Sequence, residues 1–218
     1  MNKILITGGA STIGLQVVRR FVTNYPDLEI ITVDRAELPL SANALNELEQ
    51  KPNYKFVQGD LTDTAFVDGL FKLYRISAVI NLVGGANEKA TLNVLNCGKK
   101  YWKEAYFMHR FYHVATEDMG QAFSSANASF ELIVMDYYER EGMDIVISNC
   151  STYSDSTHTD KPIPVYTEVQ EISEWLWVED QACAIDVLFH QAESGHFYNI
   201  GGQKEWWNAQ KVNSSKTL

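Results

Sequence analysis

The residues whose types and spacing suggest chemistry lie near the start of the chain. A short apolar run, Lys3 to Thr7, leads through Gly8-Gly9-Ala10-Ser11-Thr12-Ile13-Gly14 into a helical pattern. Strand, glycine-rich turn and helix together form the context in which such glycines hold a phosphate. The free N–H groups and the positive end of the helix dipole then face the anion. Asp34 ends the next β-rich run, 20 residues after Gly14. A carboxylate placed there accepts from a ribose 2′-hydroxyl and repels a 2′-phosphate, which favours NAD. One position departs from the pattern: the middle glycine of a G-x-x-G-x-x-G spacing falls on Ser11. A side chain at that point stands where the backbone would approach the phosphates. Two readings stay open, a loop that binds NAD despite Ser11 and a dinucleotide fold that no longer binds its nucleotide.

The elements that must position these residues follow from periodicity. Apolar, β-rich runs occur at Lys3–Thr7, Glu29–Asp34, Tyr54–Val57, Ala78–Val83, Phe111–Ala115 and Asp144–Ser148. Helical patterns separate most of them, at Thr12–Asn24, Ala42–Glu49, Thr64–Tyr74, Thr91–Lys103 and Ser124–Arg140. Strands alternating with helices predict βαβ units and a parallel sheet, and near-continuous apolar strands predict helices on both faces. The expected fold is a doubly wound α/β domain, Rossmann-like, spanning 1–218 as one unit. Within it 1–149 forms the main sheet, and 150–173 is a polar loop with Pro162 and Pro164. Late elements follow in 174–202 (a strand at Trp175–Val178, a helix at Asp180–Gln191, a strand at Phe197–Ile200), and 203–218 is a tail.

Composition narrows the partners. A formal net charge of −10 disfavours nucleic acid and anionic membranes, both of which need clustered positive charge. No apolar run reaches the roughly 18 residues of a membrane span, and Met1–Ala10 does not read as a signal peptide. Cys97, Cys150 and Cys183 are scattered and odd in number, which predicts free thiols in a reducing cytoplasm. His109 and His113 are four apart in or beside a strand with no third ligand placed, so no metal site is expected.

Several segments together resemble the extended short-chain dehydrogenases, nearest to the NAD-dependent dTDP-glucose 4,6-dehydratases. They are MNKILITGGA, KPNYKFVQGDL, AVIN, TLNVLNCGKKYW, RFYHVAT, GMDIVISNCS, WLWVEDQACAIDVLFH and FYNIGG, in the family's order over most of residues 1 to 202. The resemblance implies a cofactor set of Gly8, Ser11, Thr12, Ile13, Gly14 and Asp34, with Asp60, Leu61, Leu82, Val83 and Gly84. It also implies a nucleotide-sugar substrate. In the family a tyrosine of Y-x-x-x-K takes the 4-hydroxyl proton while NAD takes hydride, and a T-D-E triplet then eliminates water. Here the triplet reads Thr116-Glu117-Asp118, which makes these three the candidate catalytic residues. Family members also dimerise through the helix Ser124–Arg140 and its predecessor, so a homodimer is expected.

The departures concern the reacting groups. Y-x-x-x-K reads Phe123-Ser124-Ser125-Ala126-Asn127, without an ionisable hydroxyl or a cation. The two acids of the triplet have exchanged chain lengths. The arginine before the family's D-W-L reads Ser173, and the segments that grip the sugar nucleotide are short or missing. The leading expectation is therefore an NAD-binding-fold relative of the dehydratases with impaired catalysis. The alternative is an active enzyme in which Thr116, Glu117 and Asp118 work with a tyrosine such as Tyr112 or Tyr153. A third reading is a structural or interaction protein with no ligand.

Overall fold

The computed structural model describes residues 3–35, 47–83, 87–103, 109–116, 125–150, 153–154 and 176–200. The first half comprises β1 (Lys3–Thr7), α1 (Thr12–Asn24), β2 (Glu29–Asp34), β3 (Tyr54–Gln58), α2 (Thr64–Tyr74), β4 (Ala78–Asn81) and α3 (Glu88–Trp102). The second comprises β5 (Arg110–Thr116), α4 (Ser125–Glu141), β6 (Ile145–Cys150), β7 (Tyr153–Ser154), β8 (Leu176–Trp177), α5 (Val178–Gln191) and β9 (His196–Ile200). Seven strands pair in parallel in the order β3-β2-β1-β4-β5-β6-β9. This is the doubly wound sheet expected from the alternation, and it gathers every strand's carboxyl end along one edge.

Both sheet faces are covered. Alternate residues of the strands enter two separate cores, because successive side chains point to opposite faces. Ile4, Ile6, Ile80, Tyr112, Val114 and Val146 pack with α1 and α5. Leu5, Ile31, Val79, Phe111, Ile145 and Ile147 pack with α2, α3 and α4. Helix α1 buries Val17, Val18 and Phe21 completely. At roughly 1.5–3 kcal/mol each, the three stabilise by roughly 5–9 kcal/mol before chain entropy is counted. Helix α2 begins on Asp63, whose carboxylate accepts from the N–H of Ala65 (2.9 Å) and Phe66 (3.3 Å). It ends on Arg75, left-handed at φ 52°.

Most elements differ from the sequence pattern by one or two residues at an end, and three differences bear on the site or the topology. Strand four was expected to run to Val83 but ends at Asn81. The N–H of Leu82 donates to the Thr7 hydroxyl (3.2 Å) instead of continuing the ladder. Helix α3 begins at Glu88, three residues before the expected Thr91. Residues 153–154, read as loop, form a two-residue parallel strand with β8, and so short a strand leaves no period in the sequence. Of the expected helix 42–49, residues 47–49 are helical and 42–46 lie outside the described residues.

Candidate functional site

The glycine loop is built from its backbone outward. Gly8 leaves β1 with φ 68°, and a Cβ there would lie 3.3 Å from the Leu82 carbonyl oxygen. That conformation and that close approach both suit glycine. Ser11 is the N-cap of α1: its Oγ accepts from the Gly14 N–H (3.1 Å) and donates to the Gly8 carbonyl (2.7 Å). The hydroxyl is therefore engaged by its own loop on both sides. Gly14 admits no side chain, since a Cβ would lie 2.1 Å from the Gly8 oxygen. The N–H groups of Thr12 and Ile13, at the start of α1, have no acceptor among the described residues.

Asp34 closes the same corner. Its Oδ2 accepts from the Ala10 N–H (3.2 Å) and its Oδ1 from the Arg35 N–H (2.7 Å). The acid is thus tied directly to the loop that lies 20 or more residues before it. Beyond it opens a cleft of about 210 Å³ lined by Asp34, Arg35, Gly59, Leu61, Val83, Asn87 and Ala90. Asp60 stands beside it, 3.4 Å from Arg35 Nε. The N–H and hydroxyl of Thr62 hold the Asp60 carboxyl below the usual carboxylate range. Leu61 and Leu82 are buried. The structure therefore brings Gly8, Ser11, Thr12, Ile13, Gly14, Asp34, Asp60, Leu61, Leu82 and Val83 to one end of the sheet. Gly84 lies outside the described residues.

Sequence reasoning passed over Arg35, Gly59, Asn87 and Ala90. Two of them were within reach, because Arg35 follows Asp34 and Gly59 precedes Asp60. Asn87 and Ala90 depend on where α3 begins, which the pattern placed too late.

The ends of β4, β5 and β6 are different in character. Thr7 Oγ1 donates to Asn81 Oδ1 (2.7 Å), and the Asn81 amide donates to Thr91 Oγ1 (3.0 Å) and His113 Nδ1 (2.9 Å). That orientation leaves the imidazole proton on Nε2. Burial lowers the His113 pKa from its usual 6.5 to about 4. Tyr112 is fully buried, shares a 2.7 Å hydrogen bond with Ser148, and is pushed above its ordinary pKa by burial. It packs in the core beneath α1 and α5, so it has no access to a ligand and cannot serve as the relocated tyrosine. Cys150 is buried, its thiol pushed up to about 12 by desolvation. His109 stacks on Trp102 with ring centroids 5.1 Å apart, while His113 faces Asn81.

Thr116 ends β5 opposite Cys150 of β6. Glu117, Asp118, Phe123, Ser173 and Trp206-Trp207 lie outside the described residues, as does the side chain of Asn127. Helix α4 carries Phe130, Glu131, Val134 and Met135 inward, while Leu132 and Ile133 are 65% and 45% exposed.

This arrangement has relatives. The family model described as GDP-mannose 4,6 dehydratase matches residues 5–87. The dTDP-glucose 4,6-dehydratase of Neisseria meningitidis serogroup B is 30% identical over 264 aligned positions, covering 97% of this chain and 74% of that protein. The corresponding protein of Haemophilus influenzae is 26% identical, covering 97% and 78%. An alignment of 264 positions exceeds the 218 residues available, so these relatives carry segments with no counterpart here. Among solved structures, dTDP-glucose 4,6-dehydratase from Bacillus anthracis, in complex with NAD, superposes with a TM-score of 0.77. Its identity is 24%, with 93% of this chain and 76% of that chain covered. The Streptomyces venezuelae enzyme, with NAD and TYD bound, gives 0.76 at 22% identity, covering 97% and 79%.

Proposed function

The chain belongs to the dTDP-glucose 4,6-dehydratase family, and from that we propose an NAD-binding member that has kept its dinucleotide site and lost the family's turnover. The observation that carries the first half is the pair of unengaged N–H groups on Thr12 and Ile13, next to Asp34 and its cleft. Two N–H donors at a helix start suit a pyrophosphate, and Asp34 suits a ribose hydroxyl. Ser11 does not count against this reading, because its hydroxyl is turned onto Gly8 and Gly14. Gly8, Ser11, Thr12, Ile13, Gly14, Asp34, Asp60, Leu61, Leu82, Val83 and Gly84 make up the proposed cofactor site. NAD, when bound, supplies a hydride acceptor.

The second half rests on Phe123 and Asn127. Phenylalanine has no proton to exchange, and asparagine has no charge to hold a neighbouring group ionised. Thr116, Glu117 and Asp118 remain the candidates for any residual acid–base work; Thr116 ends β5, at the carboxyl edge where open α/β sheets bind ligands. Incubation of the full chain with NAD and dTDP-glucose, followed by mass spectrometry, tests this reading. We expect unchanged substrate; turnover at roughly 1–1,000 per second would overturn the impairment.

The protein is further proposed to be a cytoplasmic homodimer. Leu132 and Ile133 stand exposed on α4 beside α3, an apolar face suited to a second copy. No helix of the described residues is long and apolar enough to cross a membrane.

A further inference from the structure

The last turns of α2 carry a surface that the fold itself does not use. Leu73 is 73% exposed, more than any other large apolar side chain among the described residues. One turn before it stands Gly69, also exposed, where an added Cβ would meet nothing within 4 Å. Glycine inside a helix is destabilising relative to alanine, and here no neighbour excludes the methyl group that would relieve it. Residues four apart share a helix face, so Gly69 and Leu73 form a notch and a knob side by side.

Cations surround this face. Lys72 and Arg75 stand on either side of Leu73 in sequence, and both are exposed. The Nζ atoms of Lys55 and Lys3 lie 5.0 and 6.0 Å from the centroid of the Tyr74 ring, and Lys100 reaches Asp68 from α3. Lys3 pairs with Glu29 and Lys100 with Asp68. Lys55, Lys72 and Arg75 have no ion-pair partner among the described residues. The chain as a whole has a formal net charge of −10, so these cations locally reverse its sign. Cations also complement the dipole at a helix C-terminus, but Lys55 belongs to β3, and that role does not call for an exposed leucine. The patch is apart from the surfaces described above. Helix α2 starts on Asp63, three residues from Asp60, and its 11 residues carry Arg75 roughly 16 Å further, to the amino edge of the sheet. Helix α3 lies between α2 and α4, which bears Leu132 and Ile133.

We propose that this face of α2 docks an acidic protein segment. One large apolar side chain of that segment seats in the notch at Gly69, against Leu73, and its carboxylates lie over Lys55, Lys72 and Arg75. The charge pattern selects a short segment. The Debye length is about 8 Å at physiological ionic strength, so a short acidic peptide feels the patch alone, whereas a long polyanion also meets the anionic remainder of the chain. The proposal does not rest on the cofactor reading.

Titration of the full chain into a fluorescein-labelled peptide, Glu-Glu-Leu-Trp-Glu-Glu, read by fluorescence anisotropy, tests it. Saturable binding is expected, weakened about tenfold or more between about 0.05 M and about 0.5 M salt. Leu73→Ala should weaken it about tenfold, and Lys72→Gln combined with Arg75→Gln by about tenfold or more. Gly69→Ala should weaken the peptide while raising the melting temperature by about 2–4 °C, a combination that a merely structural glycine would not give. Circular dichroism on each variant confirms that it is folded. No saturable binding at millimolar peptide overturns the proposal. So does binding that survives the loss of both cations, or a Gly69→Ala protein that melts higher and binds unchanged. Equally tight binding of a poly-dT oligonucleotide also overturns it, because the patch would then be a general polyanion surface.

Discussion

Replacing Ser11 tests whether this side chain is a helix cap or an obstruction. Its Oγ is the acceptor for the Gly14 N–H at 3.1 Å, and Gly14 is buried against the loop. In Ser11→Ala that N–H loses its partner and a methyl group keeps water from replacing it. A buried donor left unmade costs about 1–3 kcal/mol, and serine-to-alanine changes at N-caps cost about 0.5–2 kcal/mol. The ranges overlap at about 1–2 kcal/mol. In a chain of 218 residues that corresponds to a melting temperature lowered by about 2–8 °C. Ser11→Gly opens the site to water and should cost only a few tenths of a kcal/mol. Thermal unfolding followed by circular dichroism separates the two. A Ser11→Ala protein melting within about 1 °C of wild type would refute the capping argument. So would a glycine variant that loses as much as the alanine variant. NAD affinity gives the complementary reading: removing the side chain in Ser11→Gly should change it by less than about threefold, whereas a large gain would restore Ser11 as a block.

Asp34→Ala should weaken NAD by roughly 10- to 150-fold in a calorimetric titration, the equivalent of about 1.5–3 kcal/mol for a charged hydrogen bond. His113 gives the protein an acid-sensitive term. Its folded pKa of about 4 lies below the unfolded value of about 6.5, so between these pH values the unfolded chain binds a proton that the folded chain refuses. Stability present above pH 6.5 is therefore lost as the pH falls towards 4, by up to about 3 kcal/mol. His113→Gln should flatten urea-derived stability over that window, and an unchanged slope would count against the assignment. Leu132→Asp should convert the proposed dimer to a monomer in light scattering, and a wild type of monomer mass at tens of micromolar would remove the dimer. Gly14→Ala, whose Cβ would lie 2.1 Å from the Gly8 oxygen, should abolish NAD binding before it unfolds the sheet, as read by titration and circular dichroism on the same sample.

The sheet was legible because parallel strands buried on both faces leave continuous apolar runs. The strands Lys3–Thr7 and Glu29–Asp34, and the helix Thr64–Tyr74 that packs on them, have the same bounds in sequence and structure. Ends set by side-chain hydrogen bonds were not legible. Strand four stops at Asn81 because Thr7, a residue 74 positions away, takes the next N–H. The glycine loop could be found from spacing, but not the rotation of Ser11 Oγ onto Gly8 and Gly14, which is a local geometric choice. Tyr112 shows a further limit. Its type suits acid–base chemistry, and only the register of β5 against β6 reveals that it lies in the core beside Ser148.

The Thr12 and Ile13 N–H groups together with Asp34 are proposed to form a working cofactor site. Equilibrium titration of the wild-type chain with NAD, after any copurified nucleotide has been stripped, measures this directly. A working site gives saturable one-to-one binding that Asp34→Ala weakens. An absence of binding at millimolar NAD by a chain whose circular dichroism and melting are those of a folded protein would contradict it.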